Sequence, residues 1–160
     1  MRIPRMFVLF GCACLLTASA AFVQETGAQE TEKAVRMKNL PAAVQAAVRE
    51  QSKGATLRGL SQETKDGQTF YEAELRVNGH GKDVLMDATG KVIEVEEQVA
   101  FNALPSAVQA SLRKLAGKGR IGLVESITKD NALVAYEAHV RTGRRVTEIK
   151  VNPAGQAVTQ

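Results

Sequence analysis

The sequence predicts an α+β fold made of two tandem units, each a helix packed on an antiparallel sheet, with both helices on the same sheet face. Three observations predict it. The chain repeats itself: Leu40-Pro-Ala-Ala-Val-Gln-Ala-Ala-Val-Arg49 returns as Leu104-Pro-Ser-Ala-Val-Gln-Ala-Ser-Leu-Arg113, and, one residue further along, Tyr71-Glu-Ala73 as Tyr136-Glu-Ala138 and Asp87-Ala-Thr-Gly90 as Asn152-Pro-Ala-Gly155, and a near-constant offset of this kind marks a duplicated supersecondary unit. Each copy opens with apolar residues at helical spacing. The residues that follow alternate with a period of two between turn signals, and no helical segment separates successive strands, so the pairing must be antiparallel.

The elements follow in order. Arg2 and Arg5 precede an apolar stretch from Met6 to Leu16, and Ala18-Ser19-Ala20 has small residues where signal peptidase cuts. An export signal over residues 1–20, cleaved near Ala20, is expected. Its apolar run is shorter than the about 20 residues a membrane span needs. Both cysteines, Cys12 and Cys14, fall inside it. The exported chain is then left with no disulfide, thiolate nucleophile or thiolate metal ligand. Residues 21–38 show little apolar periodicity and predict a mobile leader. Residues 39–100 and 101–160 are the two units.

In each unit a helix comes first. Leu40, Val44, Ala47 and Val48 share one face, as do Leu104, Val108, Leu112 and Leu115. Pro41 and Pro105 stand near the first helical position, where a missing N–H costs nothing. Asn39 and Asn102 lie just before the helices, and Gly54 and Gly117 fall where left-handed stops are expected. Helices of about three turns are marginal alone, so each must dock its apolar face on something.

Strands supply that surface. Thr56–Thr64 and Gly122–Thr128 come first, with Leu57, Leu60, Leu123 and Ile127 as core candidates. From Phe70 to Val77, Tyr71, Ala73, Leu75 and Val77 alternate with Phe70, Glu72, Glu74 and Arg76; in the second unit Tyr136, Ala138 and Val140 alternate with Glu137, His139 and Arg141. This is the pattern of a sheet with one face buried and one wet. Lys65-Asp-Gly67, Lys129-Asp-Asn131, Asn78-Gly-His-Gly81 and Thr142-Gly143 read as turns, and Asp87–Gly90 and Asn152–Gly155 as tighter hairpins ending on a left-handed glycine. Lys82–Met86, Lys91–Glu96, Arg145–Val151 and Gln156–Thr159 complete the expected strands.

The Leu-Pro helix opening, the Tyr-Glu-Ala strand and the Asp/Asn-x-x-Gly hairpin, in that order and in both halves, resemble the PepSY-like family of exported bacterial proteins, also called beta-lactamase-inhibitor-like. The resemblance covers about residues 36–160. It implies a helix packed on an antiparallel sheet, in tandem, and a role in restraining peptidases, as related modules do in propeptides of thermolysin-type enzymes. The family carries no established active site.

The residues offer little chemistry of their own. Gly117-Lys-Gly-Arg-Ile-Gly122 matches a dinucleotide fingerprint by letter, but it follows a helix and opens a strand, the reverse of what phosphate binding at a helix N-terminus requires. His80 and His139 are the two histidines, one in each unit, and neither has a second histidine at i, i+4. Glu72, Glu74, Glu94, Glu96 and Glu97 form an acidic group in the first unit. They lack the sugar-stacking aromatics that a carboxylate pair in a glycosidase works beside, for the chain has no Trp and two Tyr. Arg141, Arg144, Arg145 and Lys150 are a basic group without the interleaved aromatics of a single-strand nucleic-acid binder. A Gly-x-Ser-x-Gly nucleophile elbow is absent.

The two units differ most in charge: residues 40–103 hold seven Lys/Arg and ten Asp/Glu, residues 104–160 nine and four. The expectation is a periplasmic or secreted, monomeric, non-enzymatic binding protein, with no catalytic residue, cofactor, metal or nucleic acid and with an exported protein as partner. The expected contact surface is Phe70, Glu72, Glu74, His80, His139, Arg141, Arg144 and Arg145. The competing expectation is cation binding, or a role in envelope stress, on the acidic sheet face of the first unit.

Overall fold

The computed structural model describes residues 31–158. The expected signal peptide and residues 21–30 of the expected leader lie outside them. A short strand β1 (Thr31–Ala34) is followed by helix α1 (Ala42–Gln51) and strands β2 (Thr56–Lys65), β3 (Gln68–Val77), β4 (His80–Asp87) and β5 (Val92–Gln98). Helix α2 (Ser106–Ala116) and strands β6 (Arg120–Lys129), β7 (Ala132–Thr142) and β8 (Arg145–Val151) follow. The strands form one eight-stranded antiparallel sheet in the order β1 to β8, each paired with its neighbours in sequence.

The turns explain why the order is sequential. Asp66 and Gly67, Asn78 and Gly79, and Asp130 and Asn131 all have positive φ at both central positions. Two-residue turns of that hand match the right-handed twist of the strands they join, so each strand folds back on the last. His80, expected inside the second of these turns, opens β4 instead.

Both helices start directly after proline, and neither has a side-chain cap: Asn39 and Asn102 sit within single 3-10 turns that precede them. The amide of Gln45 holds the entry of α1 by donating from Nε2 to the carbonyl of Leu40 (3.0 Å), and Gln109 does the same for Leu104 (2.9 Å). Leu40, Val44 and Val48 pack with Ala73, Leu75, Val84 and Met86 in one core, and Leu104, Val108 and Leu112 with Val124, Ala138 and Val151 in another. At about 25 cal/mol per Å² of apolar surface removed from water, these rows hold the helices to the sheet.

Five expectations are corrected. Residues 31–34, read as mobile leader, form β1 on the edge of the sheet beside β2; edge pairing satisfies backbone N–H and C=O groups and needs no apolar periodicity. Leu115 is exposed, so the docking row of α2 ends at Leu112. Leu57 is exposed, although the bulge at Arg58 keeps it opposite Leu75 on the helix side. In β6 a bulge between Ile121 and Val124 turns Val124, and not Leu123, toward the helices. After Asn152–Gly155 the described residues make one bridge, Val151 with Ala157, and not a strand.

Candidate functional site

Alternation places two sets of side chains on opposite sheet faces. Ala73, Leu75, Val84, Val124, Ala138, Val140 and Val151 are buried on the helix side. The other face therefore carries Glu72 and Glu74 of β3, Asp83 of β4, Glu94 and Glu96 of β5, Glu125 of β6, Glu137, His139 and Arg141 of β7, and Glu148 and Lys150 of β8. The sequence reads this face as wet, and for its centre that is wrong. Glu125 and Glu137 are buried, as are Ile127 and Ala135 between them and the turn. No helix lies on that side, so among the described residues the cover comes from the long side chains of the sheet itself.

The eight residues expected to form a contact surface do not converge. Phe70, Glu72 and Glu74 lie on β3, His139 and Arg141 on β7. Four strand spacings, roughly 19 Å at about 4.8 Å each, separate the two strands. His80 and Arg144 stand at the β3–β4 and β7–β8 hairpins, at the same end of the sheet, and both are exposed. Glu72 accepts a bond from Ser61 Oγ at 3.4 Å. The carboxylate of Glu74 lies over Gly59, where even a Cβ would come within 2.8 Å of it. Arg141 and Arg145 are exposed.

His139 is different. Its Nε2 lies 3.8 Å from Glu125 Oε2, 3.8 Å from Glu137 Oε1 and 3.5 Å from Glu148 Oε1. That nitrogen is buried and has no hydrogen-bond partner, although the imidazole as a whole is 21 % exposed. The sheet register builds this group: Glu125 opposes Glu137, Glu137 opposes Lys150, and His139 opposes Glu148. Lys150 Nζ pairs with Glu137 Oε2 at 3.0 Å. Opposite His139 on the other side is the bulge of β6, where two residues, Gly122 and Leu123, face one. Bulges of this kind redirect side chains; here the bulge sets Glu125 on the same face as His139.

Sequence reasoning missed Glu125 and Glu148 because their partnership with His139 depends on register and on that bulge. The one available signal was the Glu137-x-His139 pair on a single strand face. A second group, Asp83, Glu96 and Glu125, brings three carboxylates within 4.8 Å of one another across β4, β5 and β6. Glu94 is paired instead with Lys129, at 2.9 Å, and Glu97 with Lys82, at 3.3 Å.

Two open grooves lie elsewhere. One, beside β1, is lined by Lys33, Arg36, Lys38, Asn39 and Gln62, and the other by Phe101, Arg113, Gly119, Ile121 and Gly122. In the second, the Arg113 guanidinium stacks 4.8 Å from the centre of the Phe101 ring. Neither groove contains a histidine or a carboxylate. The Gly117–Gly122 segment is the end of α2, with Gly117 at φ +55°, and the start of β6. No described helix is long and apolar enough to cross a membrane.

No family model matches the chain, and no curated protein matches it. Solved structures do. A BLIP-like protein from Bacteroides fragilis aligns with a TM-score of 0.56 at 20% identity, over 75% of this chain and 84% of that one. A protein from Bacteroides eggerthii, described as periplasmic, gives 0.62 at 17% identity, over 75% and 86%. A DUF2874 family protein from Bacteroides uniformis gives 0.59 at 20% identity, over 74% and 86%. At these identities the likeness is one of fold, an α+β arrangement shared with BLIP-like and periplasmic proteins.

Proposed function

We propose that this chain is an exported, non-enzymatic binding protein of two tandem PepSY-like units, residues 39–100 and 101–160, which restrains a peptidase or another envelope enzyme by covering it. The observation that carries the reading is the one-sided sheet: both helices pack on one face, and a broad, charged, helix-free face and a row of hairpin tips are left to meet a partner. Rigid sheets that present loops are common binding scaffolds. The duplicated reading is supported by matching contacts in the two halves. Gln45 and Gln109 hold corresponding leucine carbonyls. Gly90 lies against the backbone of Ala43 in α1, and Gly155 against that of Ala107 in α2. The likeness to a BLIP-like protein and to one described as periplasmic supports an exported inhibitor-type scaffold.

The proposed contacts are Phe70, Glu72 and Glu74 near one end of the strand order and His80, Arg141, Arg144 and Arg145 at the hairpin end, with the chain acting as a monomer. The test is inhibition of thermolysin-type peptidases exported by the same cell, read with a peptide substrate against increasing amounts of the chain. Activity should fall in a saturable way, and the charge reversals Glu72→Lys with Glu74→Lys, or Arg141→Glu with Arg144→Glu, should restore it. Full peptidase activity at saturating chain, with no complex by size-exclusion chromatography, sinks the reading.

A second reading, cation binding on the acidic face of the first unit, is favoured by Asp83 and Glu96 of that unit, which lie together with Glu125 of the second. Oxygen donors alone suit calcium or magnesium, and calorimetry with either ion, before and after Glu96→Gln, tests it.

A further inference from the structure

We infer that His139, Glu125, Glu137 and Glu148 form a site for one divalent transition-metal ion of the zinc type, on the helix-free face between β6, β7 and β8. The site differs in chemistry from both readings above; it shares Glu125 with the Asp83, Glu96 and Glu125 group of the second.

Hydrogen bonds from an imidazole N–H to a carboxylate run about 2.7–3.2 Å. Nε2 of His139 has three carboxylate oxygens at 3.5, 3.8 and 3.8 Å and none at bonding distance. Three carboxylates held around one nitrogen at nearly equal, longer separations are arranged as co-ligands are. With Zn–N and Zn–O bonds of about 2.0–2.2 Å, neighbouring donors of a tetrahedral ion sit about 3.3–3.6 Å apart. One donor atom each from Glu125, Glu137 and His139 already lies within 4.8 Å of the other two, and Glu148 Oε1, 3.5 Å from the same nitrogen, is the fourth donor an ion would draw in.

Burial sharpens this geometry. Nε2 is a buried polar atom without a hydrogen-bond partner. Such atoms are rare in folded proteins, because leaving one unsatisfied costs free energy. A metal lone-pair bond satisfies it. Charge points the same way. Glu125 and Glu137 face each other directly across β6 and β7, both with side chains more than nine-tenths buried. Like charges directly opposite in a sheet are unfavourable. Lys150 pairs with Glu137, and a divalent cation between the two carboxylates offsets that repulsion. Glu148, 29 % exposed, and the exposed edge of the imidazole leave a path from solvent.

The donor set selects the ion. One imidazole nitrogen with carboxylate oxygens is a mixed N/O site, the preference of zinc and its first-row neighbours, whereas calcium and magnesium take oxygen alone. Lys150, bonded to Glu137, serves as the outer partner that orients a ligating carboxylate.

The experiment uses the chain isolated from the exported fraction and stripped with chelator. Calorimetric titration with zinc chloride alone should give one zinc per chain. His139→Ala removes a direct ligand and should weaken binding by at least the roughly ten- to hundredfold that loss of an outer partner costs, and His80→Ala should leave it unchanged. Calcium chloride alone should bind more weakly, and indifferently to His139. Cobalt(II) in place of zinc should give the visible absorption of a four-coordinate ion, lost in His139→Ala. Because Glu137 is buried, Glu137→Gln serves as the second variant; it keeps the side-chain shape, and circular dichroism checks that it folds. It too should weaken zinc binding. The inference is overturned by the absence of saturable zinc binding, by zinc binding that survives both His139→Ala and Glu137→Gln, or by binding that is lost with His80.

Discussion

Gly90→Ala tests whether the hairpin glycine locks the sheet to its helix. Gly90 has φ +81°, and its N–H closes the turn on the carbonyl of Asp87 at 3.0 Å. A Cβ at this position would lie 2.7 Å from the carbonyl oxygen and 2.9 Å from the carbonyl carbon of Ala43 in α1. Two costs follow. A left-handed backbone costs an alanine about 1–2 kcal/mol. The clash is with backbone, which cannot rotate aside, so the hairpin or the helix must shift, an overpacking cost of about 1–3 kcal/mol. Together they destabilise by about 2–5 kcal/mol, a large part of the 5–15 kcal/mol that holds a typical domain folded. Gly54 provides the control, with φ +73° and nothing within 4 Å of its Cβ position. Gly54→Ala therefore carries the first cost alone. In urea unfolding followed by circular dichroism, the two variants should differ by about 1–3 kcal/mol, or roughly 1 M in midpoint at m-values of about 1–3 kcal/mol/M. Equal midpoints for Gly90→Ala and Gly54→Ala would refute the contact argument. Gly155→Ala should behave as Gly90→Ala does, for its Cβ would lie 2.8 Å from the carbonyl oxygen of Ala107 at φ +83°.

Two further outcomes are expected. Leu112→Ala empties a fully buried position in the second core and should destabilise by about 2–5 kcal/mol, whereas Leu115→Ala, one turn on and exposed, should stay within about 0.5 kcal/mol; thermal melts of the pair decide whether the docking row ends where the structure ends it. The Asp87 carboxyl sits below its ordinary value, chiefly because the Thr89 hydroxyl donates to it, with the N–H groups of Lys91 and Thr89 and the Lys91 charge adding and partial burial opposing. A depressed carboxyl contributes stability above its unfolded value of about 3.9 and loses it as pH falls through the folded value. The gap in urea midpoint between the parent chain and Asp87→Ala should thus be full at pH 7 and shrink below about pH 4. A gap that stays constant to pH 2 would exclude the carboxylate as its source.

Much of the fold was legible in the residues. The helices sit where Leu40 and Leu104 with their prolines place them, and Arg145–Val151 is a strand from the first residue expected to the last. The positive-φ pairs Asp66-Gly67 and Asn78-Gly79 set the meander, since few other residues accept that backbone. What escaped was non-local. β1 has no pattern of its own and exists because β2 offers an edge. The bulges near Gly59 and Gly122 each add a residue to one strand, and a one-residue slip exchanges the faces of everything beyond it. Ile127 illustrates the effect: it is buried as expected, but on the face without helices.

The candidate site was less legible than the fold for the same reason. Of its four residues, Glu137 and His139 share a strand and a face, so their proximity is a property of the sequence. Glu125 and Glu148 are brought to them by hydrogen-bond register across two strand pairs, and by a bulge that no local propensity encodes. The elements, their hairpin order and the apolar rows that dock the helices can be read along the chain, because they follow from backbone preferences and periodicity. Which face is buried at the centre of the sheet, and which carboxylates surround His139, cannot be read that way, because burial and charge at a point in a sheet depend on the strands to either side of it.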